Sequence, residues 1–247
     1  MPEDAVEKSS SHQWFVTTHW SVVVAAGKTD STRAQAALEK LCHSYWYPLY
    51  AYARRLGQKP HDAEDLVQAF FAQCLEKNYL RTADQGKGRF RSFLLIAFKR
   101  FLANEWDKAH TKKRGGGQQP ISLDGMAPEE RYAMEPPLLQ NPETLYERRW
   151  ALTLLEQVLT RLETEQEKVG NALNFAEFKG FLVGGASGSH AEIAGRLGIT
   201  EGAVKVAVHR LRKRYRQLLE EEIANTVSSP DEVQEERRHL LSVISQI

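Results

Sequence analysis

The chain is poor in the features that would stabilise or anchor it by anything other than packing. It has two cysteines in 247 residues, Cys42 and Cys74, each alone in an apolar helical context. This excludes a disulfide framework and predicts buried thiols in a reducing compartment. No apolar run approaches the roughly 20 residues of a membrane span. The N-terminus is polar and acidic, without the pattern of a secretory signal. The expectation is a cytoplasmic protein. His12, His19, His43, His61 and His110 have no metal-ligand spacing with the cysteines, so neither a metal nor another cofactor is expected. Gly86-Lys87-Gly88-Arg89 lacks the glycine spacing and following Ser or Thr of a Walker loop. No nucleophile has a base neighbour in sequence, and the chain carries no enzyme signature. Convincing strands and internal repeats are also missing, which predicts an all-α fold.

What is present is an uneven distribution of charge. The net charge is +1, which alone points to no partner. Gly86–Arg114, however, holds nine Lys or Arg against two acids. Pro120–Arg149 holds six acids against three basic residues, and the segment after Arg216 has seven acids against Arg237 and Arg238. A second basic block is SHAEIAGRLGITEGAVKVAVHRLRKRYR, Ser189–Arg216. Ile193, Ala194 and Leu197 follow helical spacing, Gly198 suits a left-handed turn, and Thr200 suits the cap of a second helix. That helix has Val204, Val208 and Leu211 on one face, with Lys205, His209, Arg210, Arg212 and Lys213 on the others. Small Ala194 and Ala203 would let the two helices cross closely. The pattern predicts a helix–turn–helix whose second helix enters the major groove. The plainer reading is an amphipathic hairpin with a solvated basic face.

Ser31–Leu56 reads as a helix with a kink or break expected near Tyr47, where Pro48 interrupts the pattern. Asp62–Asn78 reads as another, capped by Asp62 with Asp65 as the acid of a capping box. Leu66, Val67, Phe70, Phe71, Cys74 and Leu75 form its apolar stripe. A loop over Tyr79–Gly88 precedes a helix from Arg89 to about Lys108, in which aromatic and basic residues interleave. Such a pattern fits a core helix or a platform for unpaired bases. Helices are also predicted over Thr144–Leu162, Asn171–Leu182 and the tail, where Leu240, Leu241, Val243 and Ile244 are apolar. His12–Ala26, with Trp14, Phe15 and Trp20, is expected to dock on the first domain. The architecture expected is two helical domains joined by a flexible linker, the second containing the helix–turn–helix.

Three segments together resemble the extracytoplasmic-function (ECF) group of bacterial RNA polymerase sigma factors. Asp62-Ala63-Glu64-Asp65-Leu66-Val67-Gln68 resembles the helix that docks on the β′ clamp. Gly88–Arg114, opening Phe90-Arg91-Ser92-Phe93-Leu94-Leu95, resembles the helix that reads and opens the minus-ten promoter element. Glu192–Arg214 resembles the helix–turn–helix that reads the minus-thirty-five element. Arg100 stands where many members have Asn, and Asn104 where they commonly have Asp. Glu163–Gly188 reads as an insertion.

The resemblance implies five segments. They are an N-terminal extension (1–30), a polymerase-binding and minus-ten domain (31–114), a flexible acidic linker (115–143), a minus-thirty-five domain (144–219) and an acidic tail (220–247). It implies that Asp65 and Gln68 contact core polymerase. Lys99, Arg100, Asn104, Trp106, Lys108, Lys112 and Lys113 would meet the minus-ten region. Thr200, Glu201, Lys205, Val206, His209, Arg210, Arg212 and Lys213 would meet the minus-thirty-five element. The implied partners are core RNA polymerase through its β′ clamp and β flap, promoter DNA, and an anti-sigma factor. The competing reading is a helix–turn–helix regulator that is not a polymerase subunit. An acidic tail near a basic recognition helix also raises self-inhibition.

Overall fold

The computed structural model describes residues 32–76, 89–111, 127–135, 141–186, 188–227 and 229–245. Every regular element among them is a helix. Two compact units emerge: Met1–Leu152 with Ile223–Ile247, and Thr153–Glu222.

The first unit is built on α1 (Thr32–Arg55) and α2 (Pro60–Glu76), which pack side by side. Tyr45 to Ala53 supplies a nearly continuous buried run: Tyr45, Trp46, Tyr47, Leu49, Tyr50, Ala51, Tyr52 and Ala53. A helix buried on several faces must be surrounded by its neighbours. That explains why Pro48 lies inside α1 without cutting it; of the kink or break expected near Tyr47, the break is absent. Interior proline costs about 3 kcal/mol, less than burying several flanking aromatics returns. The start of α2 also differs from expectation. The helix begins at Pro60, with Asp62 in its first turn rather than at its cap. Proline tolerates the first helical position because its missing N–H has no partner there anyway.

Helix α3 (Phe90–Thr111) buries Phe90, Leu94, Leu95, Ala97, Phe98, Phe101 and Leu102. Its aromatics close on the first two helices: Phe98 lies 5.1 Å from Phe70 and 6.2 Å from Tyr52, both edge-on, and Phe90 lies 5.3 Å from Tyr45. These separations suit the quadrupoles of the rings. Phe90 and Phe101 are therefore core residues.

Within the stretch expected as linker, Pro128–Ala133 forms the short helix α4. Glu129 accepts from Tyr50 at 2.7 Å and from Arg54 Nε at 2.8 Å. Buried Glu135 accepts from Tyr47 at 2.8 Å and pairs with Arg149. The first part of α5 (Pro142–Lys168) adds Leu145, Tyr146 and Trp150, whose Nε1 donates to Tyr45 at 3.1 Å. The last helix of this unit comes from the far end of the chain and is described with the site below.

In the second unit, Leu154, Val158 and Leu162 of α5 are buried, as are Phe175 and Phe178 of α6 (Ala172–Phe178). The single helix expected over Asn171–Leu182 ends at Phe178, and α7 (Gly180–Val183) follows. A Cβ on Gly180 would sit 2.6 Å from Ala186 Cα, so the chain can fold back only at a glycine. Leu173 is 85% exposed and lies outside the core it was expected to join. The remaining helices of this unit are α8 (His190–Leu197) and α9 (Glu201–Ala224), of which residues 223–224 belong to the first unit.

Candidate nucleic-acid interface

The helix–turn–helix segment is built by local chemistry. Ser189 accepts from Glu192 N–H at 3.3 Å, and the Glu192 carboxylate accepts from Ser189 N–H at 2.6 Å. This reciprocal box satisfies two backbone donors at the start of α8. At the other end Gly198 has φ 65°, a left-handed geometry that closes α8 and that residues with a Cβ adopt at a cost. Thr200 then caps α9, its hydroxyl accepting from Ala203 N–H at 3.2 Å.

Packing fixes which side of α9 faces outward. Ile193 and Ala194 are buried on α8, and Val204, Val208 and Leu211 on α9. Ala203, expected at a helix crossing, is exposed instead. Thr200, Glu201, Lys205, Val206, His209, Arg210, Arg212 and Lys213 are all exposed, as the amphipathic pattern requires. Val206 is a half-exposed apolar group among polar ones.

Some of these charges are already engaged. Lys205 lies 2.7 Å from Glu201 one turn earlier, and this pairing holds the Glu201 carboxyl below its ordinary range. Arg212 donates to the Phe181 carbonyl at 3.0 Å. Arg214 is held by Glu165 at 2.7 Å. Tyr215 donates to the Leu155 carbonyl at 3.3 Å, and burial pushes its hydroxyl up to about 12.

The other candidate face lies on α3. Lys99, Arg100, Asn104, Trp106 and Lys108 are all exposed, Trp106 by 54%. They share the surface with Ile96, also half exposed. Lys99 pairs with Glu143 and rests 5.8 Å from the centre of the Tyr52 ring. The Glu143 carboxylate holds the lysine above its ordinary range, against a smaller opposing effect of burial. Lys108 lies 2.7 Å from Glu105. Lys112, Lys113, the Tyr79–Gly88 loop and the apolar segment His12–Ala26 lie outside the described residues.

On α2, Asp65 is exposed and Gln68 half-buried, beside a stripe of Ala63, Val67, Phe70, Phe71 and Cys74 in the core. Asp65 sits 3.0 Å from His61. Cys74 is buried; the side chain of Cys42 lies outside the described residues.

Sequence reasoning missed a cluster at the opening turn of α3. Arg91 is 4% exposed, with Nε 2.6 Å from Glu236, a second contact to Glu147, and its guanidinium 5.0 Å from the centre of the Trp150 ring. Burial opposes its charge, yet the two carboxylates more than compensate and its pKa is raised. Arg89 lies 2.8 Å from Glu236 and 3.4 Å from Glu235. Both acids lie on α10 (Pro230–Ser245). A signal was present. Val233, Glu236, Leu240 and Val243, all buried, recur at helical spacing, so a carboxylate stands in an apolar stripe. Leu241, expected on that stripe, is 56% exposed.

The family model described as ECF sigma factor matches residues 30–221. The chain belongs to the ECF sigma factor family. No curated protein and no solved structure matches it. As a sigma factor it directs transcription initiation, with core RNA polymerase and promoter DNA as its partners. Among the described residues, no helix of this sigma factor is long and apolar enough to cross a membrane.

Proposed function

We propose that this sigma factor reads the minus-thirty-five element with α9 and the minus-ten element with α3, and docks on the β′ clamp through α2. In the domain terms of the sequence, 31–114 supplies the last two roles and 144–219 the first. The observation that carries the reading is the outward face of α9. Lys205, Val206, His209 and Arg210 are exposed together on a helix whose other side is fixed by Val204, Val208 and Leu211.

On this reading the first turns of α9 enter the major groove. Glu201 accepts from a cytosine amino group, Lys205 donates to guanine, and Val206 suits a thymine methyl. Thr200 and His209 flank these contacts, and Arg210 takes guanine or phosphate. Lys213 holds phosphate and sets register. Arg212 does the same once its guanidinium donates to a phosphate as well as to the Phe181 carbonyl.

On α3, Asn104 hydrogen-bonds a base edge and Trp106 offers a stacking face. Arg100 and Lys108 neutralise phosphate, joined by Lys99, Lys112 and Lys113. The loop at 79–88 would receive the extruded base, whose unstacking costs about a few kcal/mol. Asp65 and Gln68 contact the β′ clamp, the second domain meets the β flap, and an anti-sigma factor would compete for these same surfaces.

The test is run-off transcription from a promoter pool, with core polymerase from the source organism, with and without the protein. Specific transcripts that require the protein and vanish with Asp65→Lys are expected. DNA binding without initiation would favour a helix–turn–helix regulator. Selection on randomised promoters then separates the α9 roles. Lys205→Ala should change the preferred upstream sequence, and Lys213→Ala should weaken all promoters alike.

A further inference from the structure

The part of the chain matched to the family ends at residue 221, before α10 begins at Pro230. Yet α10 is embedded in the first unit. Val233, Leu240 and Val243 are buried along one stripe, and Glu236 in the same stripe is 0% exposed. A carboxylate with no solvent requires partners that hold it ionised. Glu236 finds them in Arg91 at 2.6 Å and Arg89 at 2.8 Å.

Both arginines stand where α3 starts. Arg89 accepts the first turn of the helix through its carbonyl, which receives the N–H of Ser92 and of Phe93 at 3.1 Å each. Arg91 is held at its carbonyl as well, by the Tyr146 hydroxyl at 2.9 Å. The segment leading into α10 adds a backbone bond, from Phe90 N–H to the Thr226 carbonyl at 3.4 Å. On its far side the cluster is closed by Glu147, which lies 2.8 Å from His239 of α10. The first turn of α3 is thus held by the C-terminal segment through side chain and main chain together.

We infer that Glu236 is a positioning residue for promoter opening: it fixes Arg89 and Arg91, and through them the start of the helix that carries Arg100, Asn104 and Trp106. The inference rests on the proposed minus-ten role of α3. Capturing a base from duplex DNA needs a receptor whose geometry is set before the base leaves its stack, because mobility in the receptor subtracts from the gain of capture. A template already unpaired over that stretch makes far less demand on it.

The experiment uses the full chain with matched core polymerase on two versions of one promoter. One is fully duplex, and the other is a heteroduplex unpaired from the minus-ten element to the start site. Glu236→Gln keeps the shape and removes the charge. It should lower run-off from the duplex by about tenfold or more, because a displaced receptor loses the preorganisation that capture of a base requires. The heteroduplex should stay within about twofold of the parental level, because its base pairs are already open.

Core binding, measured by competition with parental protein, and far-UV circular dichroism should be unchanged. Should Glu236→Gln unfold, Glu236→Asp decides instead, with a smaller loss of the same duplex-selective kind. Undiminished duplex transcription, or equal loss on both templates by the folded variant, overturns the inference. Arg100→Ala is the reference. If it too spares duplex transcription, the minus-ten role of α3 fails. If Arg100→Ala is duplex-selective and Glu236→Gln is not, only the role of Glu236 fails.

Discussion

Two basic helices in this chain use their charge in different ways. On α9 the partners of the basic groups are near in sequence or at the surface: Lys205 with Glu201 one turn away, Arg214 with Glu165 at the rim. His209, Arg210 and Lys213 face solvent. On α3 the most basic part is spent inward. Arg91 is buried between Glu147 and Glu236, Arg89 is turned to Glu235 and Glu236, and Lys99 to Glu143. Counting Lys and Arg along Gly86–Arg114 therefore overstates what that stretch offers to a phosphate. Of its described basic residues, Lys99, Arg100 and Lys108 are exposed, Lys99 beside Glu143 and Lys108 beside Glu105. Among the tail acids, Glu235 and Glu236 pair with Arg89 and Arg91 at the start of α3, whereas Glu221 pairs with Arg214 of α9.

The comparison breaks most visibly at its buried member. Arg91→Ala removes the buried cation between Glu147 and Glu236, leaving Glu236 only Arg89, and should destabilise the fold by about 3–5 kcal/mol. Arg214→Ala, at a rim pair, should cost about 1 kcal/mol or less. Urea denaturation midpoints compare the two directly. Equal shifts would erase the distinction between inward and outward charge.

Base reading comes next. Lys205→Ala should lose about 1–3 kcal/mol of discrimination at one upstream position. The measurement is the ratio of affinities for the preferred and the substituted promoter, and an unchanged ratio would remove Lys205 from base contact.

Salt dependence sharpens the difference further. Arg210→Ala and Lys213→Ala should each reduce the slope of log affinity against log salt by about 1. Arg89→Gln should leave that slope as it is, because its charge is already matched within the protein.

The smallest expected effect concerns acid. Lys99 holds the Glu143 carboxyl below its ordinary range, against a smaller effect of burial. A carboxyl depressed in the folded state contributes stability above its unfolded pKa and loses it as pH falls through the folded value. Glu143→Gln should therefore reduce stability near pH 7 by well under about 1 kcal/mol, since both partners are 42% exposed. The deficit should fade as pH falls below the ordinary carboxylate range and parental Glu143 takes up its proton. Urea midpoints across that range test it, and a constant deficit would assign the effect to something other than ionisation.

Much of the proposed minus-thirty-five face was legible because its causes are local. The Gly198 turn, the Thr200 cap and the Val204–Val208–Leu211 stripe each act within one or two helical turns, and each occurs where the sequence placed it. Ala203 was misread because a small residue does not by itself say which side of a helix it occupies. The interleaved aromatics of α3 were ambiguous for a related reason. Phe90, Phe98 and Phe101 go to the core while Trp106 stays out, and periodicity alone leaves a wide stripe undivided. Of the kink or break expected at Pro48, the break is absent because the local penalty is outweighed by surrounding burial. The embedding of Glu236 was less legible still, since a lone acid among apolar positions reads as solvated until its partner is known.

By itself the sequence determined an all-helical chain, the turn and cap that orient α9, and membership of the sigma family. These follow from short-range periodicity, from backbone preferences at Gly and Thr, and from motif order along the chain. Tertiary structure alone decided which charges remain available. Arg91 and Glu236 are 145 residues apart, and no local rule connects them. Only folding, by removing both from water, makes each the partner that the other requires.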